Sequence, residues 1–245
     1  MLIGLVGKPS SGKSTFFKAA TLAEVAIASF PFTTIKPNHG VGYVKVDCIE
    51  REFGVKCQPN HGFCIKGKRF VPIELMDVAG LVPGASEGKG LGNQFLDDLR
   101  QADVFIHIVD CSGTTDEEGK PVVDASHDPS RDILFLENEL NKWFYNIMMK
   151  AWKGFVKKTE QEEEGNFSAA VSKQFSGLKV SENNVKKVLS RMRLPEKPAN
   201  WSEDQLFWFA SELRVESKPT IIAANKIDLE KSYGNYQLLK MKFPG

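Results

Sequence analysis

The feature that most limits what this chain can fold into is Gly7-Lys8-Pro9-Ser10-Ser11-Gly12-Lys13-Ser14. It follows the apolar run Leu2-Ile3-Gly4-Leu5-Val6 and leads through Thr15 into helix-forming residues. The pattern G-x-x-x-x-G-K-[ST] carries meaning between a strand and a helix, and both neighbours are present. A backbone that wraps closely on an anion has no room for a Cβ at its turns, which accounts for Gly7 and Gly12. Successive N–H groups then turn inward and the helix start adds its positive end. Gly7, Lys8, Pro9, Ser10, Ser11, Gly12, Lys13, Ser14 and Thr15 are therefore the expected phosphate-binding residues. Lys13 would reach the β- and γ-phosphates, and the Ser14 hydroxyl would ligate Mg²⁺. The implied ligand is a nucleoside triphosphate.

Three further segments take positions that suit this ligand. Phe30-Pro31-Phe32-Thr33-Thr34-Ile35-Lys36-Pro37 is bracketed by prolines that favour extended backbone. Thr34, with Thr33 second, is expected to offer a hydroxyl to Mg²⁺ and an N–H to the γ-phosphate. Phe70 to Asp77 reads as a strand ending in Asp77-Val78-Ala79-Gly80. An Asp at such a tip can hold a Mg²⁺-bound water while the Gly amide meets the γ-phosphate and releases its segment when that phosphate leaves. The glycine-rich run from Leu81 to Gly92 is costly to order and suits a two-state segment. Thr220 to Ala224 reads as a strand followed by Asn225-Lys226-Ile227-Asp228. The Asp228 carboxylate can accept from the N1–H and 2-amino group of guanine. Facing adenine it would be left unpaired, at a cost on the order of a few kcal/mol. Asn225 would hold the loop, and the Lys226 stem would lie along the ring.

Val41 to Val46 alternates as a half-buried strand, Asn93 to Ala102 as an amphipathic helix, and Val104 to Asp110 as a buried strand of a parallel sheet. His107, inside that strand, reads as a core residue. From about Cys111 to Lys218 the alternation of strand and helix is interrupted by mostly helical sequence. Asp128-Pro129 opens one helix, Ser181 a second, and Ser202-Glu203-Asp204-Gln205 resembles a capping box for a third. Lys142 to Lys158 combines lysines with Trp143, Tyr145 and Trp152, and Lys186, Lys187, Arg191 and Arg193 form a second basic group. An RNA-facing surface would need such residues together. A solvated helix face with inward aromatics explains them equally simply and is the preferred reading.

A net charge of +1 over 245 residues selects neither DNA nor a membrane surface. No apolar run reaches spanning length, and the first strand starts beside Met1, so a cytoplasmic protein without a leader is expected. Cys48, Cys57, Cys64 and Cys111 read as reduced thiols. Cys57, His61 and Cys64, with Cys48 farther off, match no recognised zinc spacing, and zinc is not expected there.

The four motifs in this order resemble the translation-factor-related GTPases of the Obg family. The run from Asp77 to Gly92 and Phe30-Pro31-Phe32-Thr33-Thr34 match most closely, and the helical insertion resembles the YchF-like branch. The resemblance implies an α/β, Ras-like fold: a mostly parallel sheet flanked by helices, interrupted by a helical insertion. Residues 1–118 and 215–245 would form the GTPase domain and 119–214 the insertion. It further implies Mg²⁺-dependent hydrolysis of GTP to GDP, with Lys13, Thr34, Asp77 and Gly80 at the reacting phosphate, Ser14, Thr34 and Asp77 around the metal, and the ribosome or its RNA as partner. A nucleotide-gated binding module with incidental hydrolysis and an ATPase are the alternatives. YchF-like proteins that accept ATP carry Glu where this chain has Asp228, which restores GTP. Family members activated by K⁺ carry Asn where Ser10 stands, so potassium dependence is not expected. The family's Ser-Ala loop and C-terminal TGS module do not occur before Gly245, which suggests a piece of a longer protein. Leu81 replaces the Gln that aligns water in Ras-like enzymes, so slow turnover is expected, on the order of 10⁻² s⁻¹ or below.

Overall fold

The computed structural model describes residues 1–21, 37–87, 92–159 and 166–244. Among these residues six strands form one sheet: β1 Leu2–Val6, β2 Asn38–Asp47, β3 Phe63–Ile65, β4 Lys68–Asp77, β5 Val104–Asp110 and β6 Thr220–Asn225. Their order is β2-β4-β1-β5-β6, with β3 paired to β4. The pairs β1–β4, β1–β5 and β5–β6 are parallel, whereas β2 and β3 run antiparallel to β4. The C-terminal ends of the parallel strands therefore share one edge, where Val6, Asp77, Asp110 and Asn225 lead into their loops. That edge is where open α/β sheets bind ligands.

Eight helices accompany the sheet among the described residues: α1 Lys13–Thr21, α2 Glu50–Phe53, α3 Gly92–Asp98, α4 Pro129–Thr159, α5 Phe167–Gln174, α6 Glu182–Arg191, α7 Glu203–Ser217 and α8 Ser232–Lys242. Helix α4 starts where Asp128 accepts from the Ser130 N–H at 2.9 Å, with Pro129 in the first turn. Capping boxes at Ser181/Asn184 and Ser202/Gln205 start α6 and α7. On one face of the sheet α1 covers Ile3, Leu5 and Leu75 with Phe17. The larger core continues from the sheet through α3 into α4–α7. Near the β5 end, Val109 and Cys111 pack with Ile133 and Leu239.

The helical region between β5 and β6 is thus joined to the sheet through one apolar core. Trp143 and Trp152 are buried in it, with Trp152 against Trp201 and Phe209. These indoles are core residues and supply no stacking platform. Lys186 pairs with Glu182, while Lys187 and Arg191 both pair with Glu216, so much of the second basic group is already neutralised.

Strand β2 differs from its expected half-burial. Val41, Tyr43, Val44 and Val46 are all exposed. The strand lies at the sheet edge, and α1 packs where β2 carries glycine. A Cβ on Gly40 would come within 2.9 Å of the Phe17 ring, and one on Gly42 within 3.1 Å of the Ala20 carbonyl. Alternation alone therefore does not supply a covering layer. His107, by contrast, sits inside β5 at 1% exposure, and burial pushes its imidazole down to about 3, leaving it neutral.

Candidate functional site

At the C-terminal edge of the sheet, β1 turns through residues 7–12 into α1. Gly7 (φ +152°) lies so close to β5 that a Cβ would approach the Ile108 carbonyl to 2.5 Å. Gly12 (φ +98°) has left-handed backbone that favours glycine, and a Cβ there would stand 2.2 Å from Asn225 Nδ2 and displace that side chain. Lys13 begins the helix and folds back over the loop, donating to the carbonyls of Gly7 at 3.1 Å and Lys8 at 2.8 Å. Burial lowers its ammonium to about 8, with the Asp77 carboxylate opposing the shift. Ser10 and Ser11 hydroxyls are enclosed without a hydrogen-bond partner among the described residues. Thr15 is exposed on the first turn.

Asp77 ends β4 directly beside this loop and is fully buried. The Ser14 hydroxyl donates to Asp77 Oδ2 at 2.6 Å, while Asp77 Oδ1 has no partner among the described residues. Burial pushes this carboxyl above the usual range, with the Ser14 hydroxyl and Lys13 opposing. A hydroxyl and a carboxylate in contact, with one enclosed carboxylate oxygen unused, make a hard-oxygen donor set that fits Mg²⁺. Thr33 and Thr34 lie outside the described residues, as do 88–91 of the glycine-rich run. Gly80 packs on the phosphate loop, where a Cβ would meet Pro9 N at 2.5 Å. The Leu81 N–H donates to the Gly7 carbonyl at 3.1 Å, and its side chain is buried in the main core. Leu81 therefore cannot orient water.

The loop after β6 closes the site from the other side. Asn225 Nδ2 donates to the Ser11 carbonyl at 2.9 Å. Lys226, at φ +59°, donates to the Ser10 carbonyl at 2.8 Å and to Asp110 Oδ2 at 2.7 Å. Burial works against ionisation of Asp110, but the Lys226 and Ser112 donors outweigh it and hold the carboxyl below its usual range. Asp228 is exposed at the tip of the same loop. Segments more than 200 positions apart in sequence are therefore hydrogen-bonded to one another.

Several partners of these loops escape a reading of motifs. Lys8, the second residue of the loop, is 1% exposed and forms an ion pair at 2.9 Å with the equally buried Asp132 in the first turn of α4. It also donates to the Thr115 carbonyl at 2.7 Å, and His127 Nε2 lies 2.7 Å from Asp132 Oδ1. Two turns along α4, Glu139 accepts from the Gly84 N–H at 2.9 Å and the Ser86 N–H at 2.8 Å. One helix thus grips both the phosphate loop and the segment that follows Asp77-x-x-Gly80. Asp110 had a visible signal, since it ends a strand as Asp77 does. Asp132 and Glu139 had none, being ordinary acids in an amphipathic helix.

A family model described as "50S ribosome-binding GTPase" matches residues 2–143. The chain is 48% identical over 242 residues to an uncharacterized GTP-binding protein of Methanocaldococcus jannaschii, covering 99% of this chain and 60% of that protein. It is 30% identical over 226 residues to a protein of Mycoplasma genitalium named ribosome-binding ATPase YchF, covering 91% of this chain and 55% of the relative. The crystal structure of a GTP binding protein from Pyrococcus horikoshii superposes with a TM-score of 0.78 at 38% identity, covering 99% of this chain and 61% of that one. The chain spans roughly three fifths of the length of the first curated relative. Among the described residues no helix is long and apolar enough to cross a membrane.

Proposed function

Because the chain belongs to the 50S ribosome-binding GTPase family, in its YchF-related branch, we propose that it binds GTP with Mg²⁺ and hydrolyses it to GDP as a slow molecular switch. The observation that carries this reading is the hydrogen-bonded contact of the Asn225–Asp228 loop with the phosphate loop. It supports a purine-reading role for the Asp228 carboxylate beside the phosphate loop. Asp228 supports guanine over adenine, although the Mycoplasma relative is named an ATPase.

In the proposed cycle Lys13 leaves the Gly7 and Lys8 carbonyls for the phosphate oxygens, an exchange of neutral acceptors for charged ones that favours its protonated form. Ser14 and Asp77 would hold Mg²⁺, and the ion would neutralise charge on the β- and γ-phosphates. Gly80, seated on Pro9, carries an amide that follows the γ-phosphate. Water must be aligned by a group other than Leu81, which keeps intrinsic turnover on the order of 10⁻² s⁻¹ or lower. The state of both nucleotide-facing segments passes into α4 through Asp132 and Glu139. The helical region is then the part that reports to a partner, and the name of the Mycoplasma relative supports a ribosomal one.

Single-turnover phosphate release tests the enzymatic part. Slow release that requires Mg²⁺ and is lost in Asp77→Asn supports the reading. Release that is independent of Mg²⁺, or unaffected by that substitution, contradicts it.

A further inference from the structure

Far from the phosphate loop, the end of β2, the loop after α2 and strand β3 bring three thiols together. The Sγ atoms of Cys48, Cys57 and Cys64 all lie within 4.8 Å of one another. Cys48 is buried, and Cys57 and Cys64 are partly buried. His61, between the last two in sequence, is not part of the group. We propose that these three cysteines form a structural site for a thiophilic divalent cation of the zinc type, with the fourth coordination place open to solvent.

The geometry needs only a small contraction. Zinc–thiolate bonds of about 2.3 Å arranged tetrahedrally put sulfurs about 3.8 Å apart. A disulfide accounts for the arrangement less well, because it joins two sulfurs and leaves the third enclosed beside them. The positions are held by the fold. The Cys48 N–H donates to the Gly67 carbonyl at 2.9 Å, in the turn that joins β3 to β4. The Cys57 N–H donates to Glu50 Oε2 at 2.9 Å, which fixes the loop between α2 and β3. Cys64 sits in β3 opposite Arg69. Arg69 in turn donates to Cys57 Sγ at 3.5 Å and to the His61 carbonyl at 3.2 Å. Three thiolates around a divalent cation carry one net negative charge, and this guanidinium offsets it. Outer donors of this kind orient and tune metal-bound ligands.

Among the described residues the segment buries little apolar surface of its own. Ile49, Phe53 and Val55 are all exposed, and the aromatic cluster Tyr43–Phe63–Phe70 lies across β2, β3 and β4 and does not include them. Short segments without an apolar core are commonly fixed by a metal or by covalent links. The site stands at the opposite end of β4 from Asp77, about 30 Å away at strand spacing, so it shapes a remote surface and takes no part in phosphate chemistry.

Titration of the reduced 245-residue protein with Co²⁺ tests the site, together with the zinc content of protein purified without chelator. The expected result is one Co²⁺ per chain, with thiolate-to-metal charge transfer and tetrahedral d–d bands, displaced by equimolar Zn²⁺. Loss of a direct ligand exceeds the roughly 10–100-fold cost of losing an outer one, so Cys57→Ser and Cys64→Ser each weaken binding by at least that much. His61→Ala binds as the parent does. Far-UV circular dichroism checks that the variants fold, and the spectrum of the parent protein decides the matter even if they do not. Absence of the thiolate band in the parent, tight binding retained by Cys64→Ser, or a disulfide between two of the three cysteines in freshly purified protein overturns the proposal.

Discussion

Replacing Asp132 with alanine should be among the most damaging single changes in this chain, although the residue belongs to no recognised motif. Lys8 and Asp132 are each 1% exposed and 2.9 Å apart. Removing the carboxylate leaves Lys8 enclosed with the Thr115 carbonyl as its remaining hydrogen-bond partner among the described residues, and His127 loses the acceptor at its Nε2. Breaking a buried pair from one side costs about 3–5 kcal/mol, a large part of the roughly 5–15 kcal/mol that stabilises a typical domain. For a chain of this size each kcal/mol moves the midpoint by about 2–4 °C, so a fall of about 6–20 °C is expected. Thermal and urea unfolding followed by circular dichroism measure it. Because most of that cost is the stranded charge, the double variant Lys8→Met/Asp132→Leu should recover much of it. A loss below about 1 kcal/mol for Asp132→Ala, the range of exposed pairs, would refute the reasoning. So would a double variant no more stable than the single one.

The other perturbations act closer to the nucleotide-facing segments. Lys13 titrates at about 8 because it is buried, and a polyphosphate beside it raises that value, so binding takes up a proton above pH 8. Affinity for GDP should then fall with rising pH, by up to about tenfold per unit above that point, whereas calorimetry showing a flat profile would exclude it. Gly12→Ala combines a left-handed φ of +98° with a Cβ placed 2.2 Å from Asn225 Nδ2. It should abolish measurable GDP binding in an equilibrium titration. Glu139→Gln leaves one acceptor oxygen for the N–H groups of Gly84 and Ser86 and turns a donor toward the other. A loss of about 1–3 kcal/mol is expected in urea unfolding, with amide exchange accelerated at those two residues.

What could be read from the sequence was whatever depends on neighbours along the chain. The phosphate loop, the Asp77 strand end, the Asn225 loop and the caps at Ser181 and Ser202 are local, because spacing of a few residues fixes their geometry. The fold class followed from their order. Contacts across the topology were not legible. Nothing in Asp132 marks it as the partner of Lys8, 124 positions earlier, and Glu139 reads as any acid on an amphipathic helix. Cys48, Cys57 and Cys64 have no metal-like spacing, and they meet only because β2 and the β3–β4 hairpin fold together. The alternation in β2 signalled a strand correctly but not its exposure, since the covering helix approaches at glycines. The mixture of lysines with Trp143 and Trp152 was ambiguous until burial showed the indoles to be core.

The central claim is that main-chain groups near one end of the chain hold a phosphate tail whose purine is read by Asp228. Calorimetric comparison of GDP with ADP, on the parent protein and on Asp228→Asn, tests it most directly. GDP binding is expected to be preferred by about a hundredfold or more, with that preference collapsing in the variant, since an amide cannot accept from both guanine donors. Equal affinities for the two nucleotides, or an unchanged preference in Asp228→Asn, would contradict it.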